Sequence, residues 1–117
     1  MKKIYYLSTC DTCKRILKEL DAPGEFTLQD IKKEPLKEEE IESLKKLSGN
    51  YEKLFSKRAR LYKERDLKNK QLSEEDYKTL LLEHYTFLKR PVIVNENEIF
   101  IGNSKKTVEA AKKSIHE

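Results

Sequence analysis

Glycine and proline are scarce in this 117-residue sequence, three of each, and cysteine and histidine are scarcer still, two of each. The low glycine and proline exclude low-complexity and collagen-like chains. No apolar run approaches the roughly 18 residues that a membrane span needs. At the N-terminus two lysines precede only the short apolar stretch at residues 4–7, less than a secretory signal core of about 7–15 residues. Without an export signal the expected compartment is the cytoplasm. Two cysteines, Cys10 and Cys13, do not make a disulfide-scaffold protein, so the pair points to redox or metal chemistry. Structural zinc needs four ligands. His84 and His116 lie far apart in sequence, so no metal site is expected. An excess of one charge is also lacking. Lys and Arg total 25 against 21 Asp and Glu, a net charge of +4 spread over alternating signs. That is a weak basis for nucleic-acid binding.

What is present suffices for one folded domain. Leu, Ile, Val and Phe make up 30 of the 117 residues, above the roughly 20% below which a highly charged chain fails to build a core. Residues 3–7 form a short β-prone run and predict a buried strand. Ser8-Thr9-Cys10-Asp11 offers several capping side chains, and Cys13, Ile16, Leu17 and Leu20 then recur at helical spacing, which predicts an amphipathic helix over 11–20. Ala22-Pro23-Gly24 stops it. Phe26 and Leu28, alternating with polar residues, mark a second strand, with Gln29-Asp30 and Ile31 at its exit. After Glu34-Pro35, residues 37–47 carry Ile41, Leu44 and Leu47 on one face, with acids in the first turn and lysines in the last. A helical turn is predicted over 51–55 and a short helix over 59–67. A further helix is capped by Ser73 with Asp76 close to a capping box. Residues 91–94 and 98–101 read as a hairpin joined by Asn95-Glu96-Asn97. Gly102-Asn103-Ser104 leads into a last helix ending near Ile115. The order is β-α-β, about 50 helical residues, then β-β-α. The middle, residues 36–88, reads as an insertion in one α/β domain whose core is residues 1–35 and 89–117.

The placement of Cys-Asp-Thr-Cys matters more than its spacing. Cys10 comes straight after a strand, at the start of a helix, where unsatisfied N–H groups and the positive dipole end favour thiolate over thiol. Cys10 is thus the expected nucleophile. Cys13, one turn further on, is placed to resolve a mixed disulfide by closing a Cys10-Cys13 bond. Lys14 and Arg15 add positive charge. Arg90 suits a bidentate anion clamp, against the simpler alternative of a solvated surface arginine. Arg58, in the basic cluster Ser56-Lys57-Arg58-Ala59-Arg60, offers an anion site at a helix beginning nearby, against a solvated charged face. A cis bond before Pro91 is not supported by pattern alone, because cis is found at only about 5–6% of X-Pro bonds. His84 reads as a boundary residue and His116 as exposed.

Together these pieces resemble the arsenate reductase (ArsC)/Spx family over nearly the whole chain. The resemblance rests on I-Y-Y-L-S-T-C-D-T-C-K-R at the start, E-P-L at 34–36, L-F-S-K-R-A-R-L-Y-K-E at 54–64, K-R-P-V-I-V at 89–94 and the Gly102-Asn103 turn. It implies a thioredoxin-like (glutaredoxin-like) four-stranded mixed sheet with an inserted helical region. It also implies a nucleophilic Cys10 beside a cis Pro91, with Arg90 near the thiolate. Thr12, Lys14 and Arg58 join Arg90 and Pro91 as expected substrate-side residues. The middle and late arginines of arsenate reductases fall at Ser56 and near Gly102-Asn103, and Lys14 stands where an arginine is usual. Cys13 matches Spx regulators, whose C-x-x-C is a redox switch and which bind the C-terminal domain of the RNA polymerase α subunit. The C-D-T segment also resembles YffB-type proteins. The resemblance thus implies a thiol-disulfide oxidoreductase acting on arsenate, another small anion or glutathione mixed disulfides. It would need no metal or organic cofactor and would be recharged by glutathione, glutaredoxin or thioredoxin. The alternative is a polymerase-binding regulator. Direct DNA or membrane binding is expected under neither.

Overall fold

The computed structural model describes all residues, 1–117, and they divide into two units, residues 1–34 with 90–117, and residues 35–89. The first unit is built on one sheet in the order β2-β1-β3-β4. Its strands are β1 (Lys2–Tyr6), β2 (Thr27–Asp30), β3 (Val92–Asn95) and β4 (Glu98–Ile101). β1 runs parallel to β2 and antiparallel to β3, and β3 pairs antiparallel with β4, so the sheet is mixed. The register aligns Leu28, Ile4, Ile93 and Phe100 across the strands. Because side chains alternate between faces, Ile4 and Ile93 point the same way. They form a core with Ile16 and Leu20 of α1 (Asp11–Leu20) and Val108 and Ala111 of α5 (Lys105–His116). Tyr5, Val92 and Val94 point the other way and are buried too. β3 therefore reads as a continuous apolar run over Val92, Ile93 and Val94 rather than an alternating one, and β1 is buried on both faces only at Ile4 and Tyr5.

α1 forms where its apolar spacing predicts. Cys13, Ile16 and Leu20 are buried, Asp11 is in the first turn and Lys18 in the last, each favourable to the dipole. Asp21 ends it in a left-handed conformation at φ 45°. The β3–β4 connection is tighter than the three-residue loop expected. Asn95 stays in the ladder opposite Glu98, and Glu96 takes a positive φ of 55°. The second strand departs further from its pattern. Leu28 is 53% exposed, whereas Gln29 and Asp30 are buried. β2 is an edge strand, so its polar end turns inward where the chain leaves the sheet.

The second unit carries α2 (Glu38–Ser48), α3 (Arg60–Glu64) and α4 (Glu74–Glu83). α2 begins and ends one residue later than predicted and buries Ile41 and Leu44. The helix expected over 59–67 is shorter. It spans only Arg60–Glu64, because Asp66 at φ 52° breaks it and a 3-10 turn follows at Leu67–Asn69. α4 has the capping box expected of Ser73: its hydroxyl accepts the Asp76 N–H at 3.2 Å, and its own N–H donates to the Asp76 carboxylate at 2.9 Å. His84 is its C-cap, in an extended conformation, the boundary position expected of it. No helix is long and apolar enough to cross a membrane.

Candidate active site

The first strand delivers the chain to a tight turn. The Cys10 N–H returns to the Leu7 carbonyl at 3.1 Å, and Cys10 is then the N-cap of α1 with extended dihedrals, φ −102° and ψ 112°. Its carbonyl accepts the first helical bond, from the Lys14 N–H at 3.2 Å. An N-cap side chain lies over the free amides of the first turn. No side-chain hydrogen bond closes the cap, yet the N–H groups of Cys13 and Thr12 bear on the Cys10 sulfur. Neither cysteine is in a disulfide. Cys10 is partly exposed and Cys13 is buried.

The two thiols are driven apart in acidity. Partial burial of Cys10 opposes ionisation, but the Cys13 N–H, the Cys13 thiol, the positive charge of Arg90 and the Thr12 N–H outweigh it and hold Cys10 below the ordinary thiol range. Cys13 is pushed up to about 11. Burial is the main cause, and the sulfur of Cys10 adds to it by accepting the Cys13 proton and by its own charge. The Leu7 N–H and Arg90 work against the rise. Only the thiolate is nucleophilic, so the outer sulfur is the reactive one. We therefore predict that iodoacetamide at neutral pH alkylates Cys10 and spares Cys13, and that Cys13 becomes reactive only as the pH climbs toward about 11. Peptide mapping across a pH series reads this directly. Equal, slow labelling of both sites would contradict it.

Of the residues singled out in the sequence, Cys10, Thr12, Cys13, Lys14, Arg90 and Pro91 all belong to the first unit. The Arg90-Pro91 peptide bond is cis, as the family resemblance implies. Pro91 is buried and its carbonyl accepts the Gly102 N–H at 2.9 Å. Gly102 has a φ of 97°, a conformation that favours glycine, so β4 ends where the Pro91 segment needs a partner. Thr12 is half-buried and Lys14 exposed. The cation that bears on both sulfurs is Arg90. Arg58 belongs to the second unit and is exposed in a turn at residues 57–58, two positions before α3 begins at Arg60. The helix expected to begin near it therefore does so, with Ala59 rather than Arg58 as its N-cap. His116 is exposed, yet its Nε2 lies 2.7 Å from the Leu20 carbonyl at the other end of α1. No group of three or more His, Cys, Asp or Glu side chains is placed to hold a metal ion.

The sequence reading missed Asp30. Its Oδ1 accepts the N–H of Ser8 at 3.3 Å and of Lys32 at 3.2 Å, so it holds the turn that leads to Cys10. A lone carboxylate at a strand exit is a common pattern and nothing in the sequence marks this one.

The family model of the ArsC family matches residues 5–111. The chain belongs to the ArsC family. Within it, the global transcriptional regulator Spx of Bacillus subtilis is 24% identical over 106 residues, covering 87% of this chain and 79% of Spx. Among solved structures, a Staphylococcus aureus protein determined by solution NMR is 31% identical with a TM-score of 0.76, over 94% of this chain and 97% of that one. An ArsC-family-related protein from Bacteroides fragilis is 28% identical with the same TM-score of 0.76, over 94% and 96% of the two chains. The thioredoxin-like α/β fold expected from the sequence is thus shown. This ArsC-family chain keeps its strand-turn-helix thiol motif at the start of that fold.

Proposed function

We propose that this chain is a thiol-disulfide oxidoreductase of the ArsC family, with Cys10 attacking and Cys13 resolving. One observation carries the reading: a partly exposed sulfur at a helix N-cap, held below the ordinary thiol range, sits beside a buried one pushed up to about 11. With a glutathione mixed disulfide as substrate, the Cys10 thiolate attacks the glutathione sulfur and expels the other thiol. Cys13 then attacks Cys10 and releases glutathione, its proton going to the leaving thiolate. The substrate disulfide is reduced by two electrons and the pair is oxidised to a Cys10-Cys13 disulfide. Glutathione, glutaredoxin or thioredoxin restores the dithiol, chemistry at home in a reducing cytoplasm. Arg90, with Lys14 at the rim, favours anionic substrates, and arsenate is the oxyanion to test. Thr12 contributes its amide, and Pro91 its place beside the thiol pair. No metal or organic cofactor takes part.

The test is reduction of a glutathionylated peptide and of arsenate, in separate assays with glutathione as donor. Turnover that survives Cys10→Ser undiminished would end the mechanism. Turnover of the peptide alone would assign the substrate class.

The Spx relative supports a second reading, a transcriptional regulator acting through the C-terminal domain of the RNA polymerase α subunit, with the same cysteine pair as its redox switch. Capture of that domain by the oxidised but not the reduced chain would favour it. Absence of binding in both states would dismiss it.

A further inference from the structure

Of all the Asp and Glu side chains, only Asp30 is buried. Its Oδ2 has no hydrogen-bond partner. A buried carboxylate with one oxygen unpaired is costly, and an apolar residue at a strand end would serve stability better. The compensation lies in where the other oxygen points. Oδ1 accepts from the Ser8 N–H and the Lys32 N–H. The Ser8 hydroxyl first, and then the Lys32 and Ser8 amides, hold this carboxyl below its ordinary range against the effect of burial. It is therefore a charged acceptor at neutral pH. Beside it the Ile31 N–H bonds the Tyr6 carbonyl at 2.9 Å, so the end of β2 grips both β1 and the turn after it.

That turn serves both sulfurs. Its last residue is Cys10, whose N–H closes on the Leu7 carbonyl. Its first residue is Leu7, whose own N–H bears on the Cys13 sulfur. Ser8, the residue Asp30 holds, is between them. We propose that Asp30 is a positioning residue for the thiol pair, fixing from the neighbouring strand the turn that aims Cys10 at the helix amides and the Leu7 amide at Cys13. The proposal rests on the reading of Cys10 as the attacking thiolate. Asp30 touches neither sulfur and acts through Ser8.

The test uses the reduced full-length chain with Asp30→Ala, Asp30→Asn and Ser8→Ala. The pH dependence of Cys10 alkylation by iodoacetamide is followed by mass spectrometry, with circular dichroism to confirm folding. Asp30→Ala should move the midpoint upward by about half a unit to one unit, and slow alkylation at neutral pH roughly three- to tenfold. Asp30→Asn keeps an oxygen acceptor for the Ser8 N–H and should stay within about twofold of the native rate. Ser8→Ala removes the hydroxyl, one of the three donors to the carboxylate, keeps the backbone N–H, and should fall between. A folded Asp30→Ala with the native midpoint overturns the proposal, as does an Asp30→Asn as impaired as Asp30→Ala. If Asp30→Ala does not fold, Ser8→Ala decides, since it leaves the strand intact, and a native midpoint there overturns the proposal. An ordinary thiol midpoint in the native chain would sink this inference together with the oxidoreductase reading. A low native midpoint that ignores Asp30 and Ser8 would sink the inference alone.

Discussion

In Cys13→Ser, the disulfide between Cys10 and glutathione is expected to accumulate, because the group that breaks it is gone. Well-placed intramolecular groups reach effective molarities of about 10⁵ M and above. Even a small fraction of that advantage makes release of bound glutathione slower by on the order of 10²–10³-fold in the variant. Intact-mass measurement after mixing with a glutathionylated peptide should show a stoichiometric glutathione adduct on Cys13→Ser, a transient one at most on the native chain, and none on Cys10→Ser. Rapid clearance of the adduct from Cys13→Ser would show that external thiol, not Cys13, resolves it.

The electrostatics argue that Cys13 is inert until it is needed. Two of the influences that raise its pKa to about 11 come from the sulfur of Cys10, which accepts its hydrogen and repels a second negative charge. Both belong to the free thiolate. Once Cys10 is in a mixed disulfide its charge is gone, while the Leu7 N–H and the Arg90 charge still favour ionised Cys13. Burial still opposes ionisation, so the step is eased rather than made free. The sign of the pH dependence follows. Cys10 attack in the native chain should decline only as the pH falls below its lowered range. Resolution should accelerate as the pH rises toward that of Cys13.

How much of this was legible in the sequence depended on how local the cause is. α1 was read correctly because its stripe of Cys13, Ile16 and Leu20 and the chain-stopping residues after it lie within one stretch. The capping box of α4 is equally local: Ser73 and Asp76 are three positions apart. Strand order was not a matter of pattern. β1 sits between β2 and β3, and only the family resemblance brought the end of β3 into the picture beside Cys10. The identity of the N-cap was left among four adjacent polar residues, and backbone dihedrals select Cys10. Asp30 was invisible because its role is a hydrogen bond to a residue 22 positions away. The helix beside Arg58 shows the same limit. The basic cluster and a nearby helix start are visible, but the length of that helix is set by Asp66 at positive φ, which composition does not reveal.

The second large effect concerns stability. Phe55 is 1% exposed and is the hub of the aromatic cluster in the second unit. Its ring centroid lies 4.9 Å from Tyr77, 5.3 Å from Phe87 and 5.8 Å from Tyr62, all within the range where aromatic pairs attract beyond their buried area. The backbone around it ties two distant segments. Phe55 bridges Leu88, the Ser56 N–H donates to the Phe87 carbonyl at 2.7 Å, and the Lys89 N–H donates to the Leu54 carbonyl at 2.8 Å. Removing the ring leaves a cavity lined by three aromatics that the paired backbone cannot collapse to fill. Phe55→Ala should therefore cost about 3–5 kcal/mol, at the upper end for large-to-small changes. Set against a total stability of about 5–15 kcal/mol for an ordinary domain, that brings the second unit close to unfolding. Urea denaturation followed by tyrosine fluorescence should show the midpoint falling by at least about 1 M, given slopes of about 1–3 kcal/mol per molar. Leu82→Ala, at a side chain 37% exposed, is the control and should stay within about 0.5–1 kcal/mol of the native chain. A Phe55→Ala midpoint no lower than that control would mean that the aromatic cluster fills space without holding the unit together.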